Sequence, residues 1–228
     1  MTAPQDKPWS QIHEMLERRD SVDEIESLLD DLNPAELLHA VFSLAPDDQR
    51  ALLSILSPEK AASLIEDLPD AHVADLIEEM PATSTAPIVE EMASNHRVDV
   101  LAELDAADAE AIIAELDEED ANEVRELINY PSDQAGGLMM KEFAAYPMAR
   151  SVREVVEEIT ADTFDYEFLT VHYIYVVVKK KKLKGVIRLR DLVFADPNQT
   201  IGSIAKPALT VSPETNLEDL EQFFDDHD

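Results

Sequence analysis

An apolar residue returns every twelve positions along the first half of this chain: Leu32, Leu44, Leu56, Leu68, Met80, Met92, Leu104, Leu116 and Ile128. Most units carry an apolar pair ahead of that anchor, as in Leu52-Leu53, Leu64-Ile65, Leu76-Ile77, Ile88-Val89, Val100-Leu101 and Ile112-Ile113. Pair and anchor stand at i, i+1 and i+4, which is one face of a helix. Start signals follow the anchors. Asn33-Pro34 with Glu36 supplies an N-cap, a proline at the first helical position and a capping-box acid, and Ser57-Pro58 repeats the first two. Pro46, Pro69 and Pro81 open further units. Each unit therefore reads as a helix of about two turns closed by a tight turn. Helices that short are marginal alone and must bury their stripes on neighbours. The predicted fold is an all-α superhelix in which each unit touches mainly the next.

Charge narrows the partners. The 228 residues hold 18 Lys+Arg against 50 Asp+Glu, a formal net charge of -32, with 45% apolar residues and no cysteine. That apolar share supports a buried core. The negative balance excludes nucleic acid as a partner, which is held by neutralising phosphates, and argues against docking on anionic lipid. Without cysteine there is no disulfide, thiolate zinc site or thiol nucleophile. The first ten residues lack an apolar stretch, and the run 173–178 falls far short of the ~20 residues of a membrane helix. The chain as given reads as soluble. Residues 1–140 carry 34 acidic against 7 basic residues, net -27, whereas 141–228 are net -5.

The pattern changes after Gly136-Gly137. Residues 151–159 form an amphipathic helix with Ser151-x-x-Glu154 as capping box; 171–178 and 183–187 read as buried strands, joined by a lysine-rich hairpin at 179–182. Arg190-Asp191-Leu192 opens a short helix, Pro213-Glu214-Thr215 opens another, and 218–225 is an acidic amphipathic helix. The fold class is α plus α/β. The predicted domains are an acidic helical repeat over 1–130, an α/β module over 131–205, and the start of a second module over 206–228.

Three stretches carry a resemblance: Tyr130-Pro131-Ser132-Asp133-Gln134-Ala135-Gly136-Gly137-Leu138-Met139, the strand around Tyr173-Ile174-Tyr175-Val176-Val177, and Leu183-Lys184-Gly185-Val186 followed by Leu189-Arg190-Asp191-Leu192 and Ala195-Asp196-Pro197. Together they resemble the cytosolic part of the MgtE family of magnesium channels and transporters, with an acidic N domain followed by CBS modules. The resemblance implies a homodimer through CBS modules, a membrane-pore domain as partner, and a cytoplasmic Mg²⁺ sensor that closes that pore. It also implies that the chain stops inside the first helix of its second CBS module.

Site residues follow from the same resemblance. Mg²⁺ takes hard oxygen ligands, and oxygen sites also accept Mn²⁺, Ca²⁺ or Co²⁺. The family's cytosolic metal site matches Asp99 of the helical repeat with Glu218, the Asp225 carbonyl and Asp228 of the last helix. Residues i and i+7 lie about 20° apart around a helix and i+10 falls just past the helix end, so the last three can face one point. Ser63 and Asn95 stand where the family has further carboxylates. An adenosine nucleotide is implied at Tyr173, Arg190 and Asp191, although Arg188 replaces the small hydroxyl of the usual Gly-x-x-Ser/Thr-x-x-Asp pattern and half of the cleft would lie in the missing module. Read without the resemblance, Tyr173 is strand core and Arg190-Asp191 a helix cap.

No phosphate loop or catalytic spacing supports an enzyme. His39, His72 and His96 fall in unit phase at surface or turn positions, and the acid pairs Glu78-Glu79 and Glu90-Glu91 read as solvated faces. The alternative reading is a helical-repeat scaffold with a CBS module that binds a protein partner.

Overall fold

The computed structural model describes residues 7–161, 172–179 and 182–227. These fall into two compact units divided between Asn129 and Tyr130.

The first unit is helical throughout its described residues: α1 (Pro8–Arg18), α2 (Val22–Asp30), α3 (Pro34–Ser43), α4 (Pro46–Ile55), α5 (Pro58–Ile65), α6 (Asp70–Glu78), α7 (Ala82–Glu90), α8 (Ser94–Glu103), α9 (Ala106–Ile113) and α10 (Glu118–Leu127). Caps explain the boundaries. Ser21 and Asn33 each form a reciprocal capping box with the glutamate three residues on, and proline occupies the first position of α1, α3, α4 and α5. The repeat's apolar pairs and most of its anchors form one core, from Leu44 and Leu52 through Ile77 and Val89 to Leu101 and Leu116. Ile128, the last anchor, is exposed, and Val124 and Leu127 take over its role.

One expectation is corrected here. The main contacts run between helices two apart, α4 with α6, α6 with α8, α8 with α10, and likewise α5 with α7 and α7 with α9. A two-turn helix presents too narrow a stripe to pack on its sequence neighbour alone, so the helices alternate between two rows with the core between them.

The second unit is built on a three-stranded sheet ordered β1 (Ala145–Pro147), β2 (Tyr173–Val178), β3 (Lys182–Arg188). β1 is parallel to β2, and β2 is antiparallel to β3 with an irregularity at Val176/Val177. Alternation along β2 buries Ile174 and Val176 beneath α11 (Val152–Thr160), α12 (Leu189–Val193) and α13 (Ile201–Ile204), together with Tyr146, Val155, Ile187, Leu192 and Ile201. A 3₁₀ turn at Ala135–Leu138 is tied by Ala135 N–H to the Thr215 carbonyl (2.7 Å) and Gly136 N–H to the Pro213 carbonyl (2.8 Å). A side chain at Gly136 would stand 2.4 Å from the Tyr130 ring, which explains the glycine.

The final helix, α14 (Leu217–Asp225), begins at the Asn216 cap. Pro213-Glu214-Thr215 therefore does not open it, contrary to the sequence expectation: these residues pair with the 3₁₀ turn, and Asn216 accepts from Asp219 N–H in their place. The expected strand start at 171 and part of the hairpin lie outside the described residues.

Candidate functional site

Asp99 is a half-buried side chain on α8. Burial raises its carboxyl pKa above the ordinary aspartate range; Asp70 and Glu103 add to that, and His96 opposes it. Burial and the neighbouring acids thus disfavour the charged carboxylate, a cost that a bound cation would offset. Asn95, on the same helix, has a buried Oδ1 without a hydrogen-bond partner. Ser63 is exposed on α5.

Glu218 and Asp225 occupy α14, the former in its first turn, where the helix dipole favours an acid, and the latter at its last position, where carbonyls lack intrahelical partners. Both are exposed. Asp228 lies outside the described residues. Asp99 belongs to the first compact unit, Glu218 and Asp225 to the second.

His96 overturns its sequence assignment. Far from being a surface or turn residue, it is 9% exposed. Its Nε2 lies 3.0 Å from Oδ1 of Asp70, the first residue of α6, and its Nδ1 lies 4.0 Å from Oε2 of Glu66, the residue capping α5. Burial pulls the imidazole pKa down most strongly, but Glu66, Asp70 and Asp99 together outweigh it and the net direction is up. Twelve-residue phase misses this because α8 stacks directly on α6 and faces the α5–α6 turn.

Three exposed acids, Glu78, Asp105 and Asp108, also bring one carboxylate oxygen each within 4.8 Å of one another. Among the described residues of the first unit, Arg97 is a buried cation. It pairs with Asp120 of α10 and donates to the carbonyls of Glu90 (2.6 Å) and Met92 (3.2 Å) at the end of α7.

Of the nucleotide candidates in the second unit, Tyr173 on β2 and Arg190 on α12 line grooves, whereas Asp191 on α12 lines neither of those two. Tyr173 is not strand core but 44% exposed. It lines a groove of about 590 Å³ with Tyr175, Arg188, Lys206, Leu209 and Phe224, and an adjoining one with Arg188, Arg190 and Phe194. Asp191 accepts from Lys206 Nζ at 2.9 Å; that hydrogen bond and the lysine's charge hold its carboxyl below the usual range, with Arg188 and Arg190 contributing. An aromatic ring flanked by three cations suits a flat base and an anionic tail.

A family model of the MgtE intracellular N domain matches residues 11–133. The chain belongs to the MgtE family. The MgtE magnesium transporter of Thermus thermophilus is 39% identical over 107 residues, which is 46% of this chain and 23% of that protein. The MgtE magnesium transporter of Enterococcus faecalis is 32% identical over the same shares. The matched stretch thus spans under a quarter of these relatives. A crystal structure of the soluble part of a magnesium transporter matches 97% of this MgtE chain and 87% of its own, at 27% identity and a TM-score of 0.82. The cytosolic domain of the Mg²⁺ channel MgtE in complex with ATP matches 96% and 89%, at 29% identity and 0.80. The α plus α/β fold is therefore the MgtE cytosolic fold. No helix among the described residues is long and apolar enough to cross a membrane.

Proposed function

We propose that this chain is the cytoplasmic Mg²⁺-sensing region of a magnesium transporter or channel, a regulatory and not an enzymatic part. It closes on divalent cations and passes that movement to a membrane pore domain. The observation that carries the reading is the net charge of -27 on residues 1–140 in a chain with the MgtE fold. So many like charges repel in the compact state, and divalent ions offset that cost. The ion can shift the domain equilibrium only by its differential affinity for the closed arrangement.

The proposed Mg²⁺ ligands are Asp99, Glu218, the Asp225 carbonyl and Asp228, divided between the helical domain and the last helix. The helical domain (1–130), the first CBS module (131–205) and the beginning of a second (206–228) are the proposed parts. A homodimer forms through the CBS modules.

The nucleotide proposal rests on Tyr173 stacking an adenine, Arg190 and the neighbouring cations meeting phosphate, and Asp191 accepting from ribose hydroxyls. The ATP complex of the similar MgtE domain supports it.

Small-angle scattering with and without millimolar Mg²⁺ tests the sensor. The radius of gyration is expected to fall with Mg²⁺ and not with NaCl of matched ionic strength. An unchanged radius in Mg²⁺ overturns the reading.

A further inference from the structure

The environment of His96 contains more unmet bonding capacity than a folded core normally keeps. Neither ring nitrogen of this 9% exposed side chain makes an aligned hydrogen bond, although both face carboxylates at ion-pair distance, and Oε2 of Glu66 likewise lacks an aligned donor. Buried polar atoms without aligned partners destabilise a fold, so a natural core holds few of them and each calls for an explanation, a bound ion being one. The three atoms here are not scattered. Nε2 stands 3.0 Å from Asp70 Oδ1 but outside hydrogen-bonding alignment, while Nδ1 looks toward Glu66 Oε2 at 4.0 Å.

A nitrogen and an oxygen 3.0 Å apart have the separation of two adjacent donors on an octahedral ion with bonds of about 2.1 Å. A carboxylate at the opposite ring nitrogen is the usual companion of a metal-bound histidine, since it fixes the tautomer and raises the basicity of the ligating nitrogen. We propose that His96 Nε2 and Asp70 Oδ1 are two ligands of a divalent transition-metal site inside the helical domain, with Glu66 orienting the imidazole through Nδ1–H. Water fills the remaining positions.

An imidazole donor separates this site from an all-oxygen Mg²⁺ site. Nitrogen ligands favour Co²⁺, Ni²⁺ and Zn²⁺ over Mg²⁺, which stays with oxygen and gives up its water reluctantly. The site lies wholly within residues 66–96, on α8 and the α5–α6 turn, and needs no other domain. It would let a magnesium-responsive protein register a competing metal. A histidine ligates through its unprotonated nitrogen, so metal and proton compete for Nε2 and binding tightens as pH rises.

Cobalt is the probe. The full chain is titrated with Co²⁺ at pH 7 in a hundred-fold excess of Mg²⁺, followed by visible absorption and by the paramagnetically shifted imidazole N–H resonance. The expected result is one Co²⁺ per chain showing that resonance, with affinity reduced at least ten-fold in both His96→Gln and Asp70→Asn. Glu66→Gln should lower it ten- to hundred-fold while leaving the coordination unchanged. Circular dichroism checks each variant; should His96→Gln not fold, the exposed-edge variant Asp70→Asn decides. Displacement of all Co²⁺ by that Mg²⁺ excess, an absent imidazole resonance, or unaltered affinity in the folded variants overturns the site. Because compaction by Mg²⁺ is read without cobalt, failure here is distinct from failure of the sensor reading.

Discussion

His96 on α8 and Asp70 on α6 meet with Nε2 and Oδ1 3.0 Å apart, joining two stacked helices through a pair of titratable groups. In metal-free protein the pair makes stability depend on pH. The groups facing the ring are Asp70, Glu66 and Asp99, all acidic, and their sum raises the folded imidazole pKa. A raised pKa means that the folded state holds the proton more tightly. The stabilisation is full below the unfolded value, ~6.5, and is lost as pH rises through the folded value. With chelator present, the melting temperature of the wild type should fall toward that of His96→Gln between pH 6 and 9. A constant gap across that range would show that the imidazole does not titrate with folding.

Arg97, next along α8 and 4% exposed, acts in the opposite direction on the stack. It joins the end of α7 to Asp120 on α10 through one guanidinium. Removing one member of a buried ion pair leaves the other charge and two carbonyls without partners. Arg97→Ala should therefore cost about 3–5 kcal/mol. Arg97→Lys should recover only part of that, since an ammonium cannot reproduce the planar fork. The measurement is the urea midpoint at unchanged slope.

These two neighbours mark what the sequence revealed and what it did not. The repeat was readable because burial every twelve residues writes itself as apolar identity: Leu52, Leu64, Leu76, Ile88, Val100 and Ile112 all ended in the core. The rows of alternate helices were not readable, because a period along the chain does not say which neighbour a helix chooses. His96 and Arg97 are polar residues whose burial depends on acids 23 to 30 positions away. β1 escaped because three residues ending in a proline carry no alternation; it exists by pairing Tyr146 with Val176 of β2. Tyr173 was legible as a strand residue but not as a groove residue, since which sheet face is covered depends on α11, α12 and α13.

Gly185 links the sheet to the groove. A Cβ there would stand 2.4 Å from the Lys206 carbonyl, where the backbone of Val186 and Lys206 exchanges hydrogen bonds of 2.9 and 3.0 Å. Gly185→Ala should push the 206 segment away at a cost of about 1–3 kcal/mol. It should also carry Lys206 off Asp191 and weaken ATP binding several-fold. Faster hydrogen exchange at the Val186 and Lys206 amides, with the helical domain's amides unchanged, is the direct check.

Asp99 permits a test in which apo stability and metal response move in opposite directions. Burial, with the charges of Asp70 and Glu103, raises its carboxyl pKa above the ordinary aspartate range and so disfavours the charged form in the folded chain. Asp99→Asn removes that penalty without changing shape, so the metal-free chain should melt slightly higher, by roughly 0.5 kcal/mol on the scale of partly exposed charge changes. If Asp99 is also a Mg²⁺ ligand, the same variant forfeits part of the stabilisation that bound ion supplies, which grows as RT ln(1 + [Mg²⁺]/Kd). At a concentration ten-fold above Kd the wild type gains about 1.4 kcal/mol by that relation, and a ten-fold weaker site gains only about 0.4. The two melting curves should therefore cross as Mg²⁺ is raised, with the variant more stable at zero Mg²⁺ and the wild type more stable at saturation. Parallel curves would leave Asp99 a strained carboxylate with no part in binding the ion.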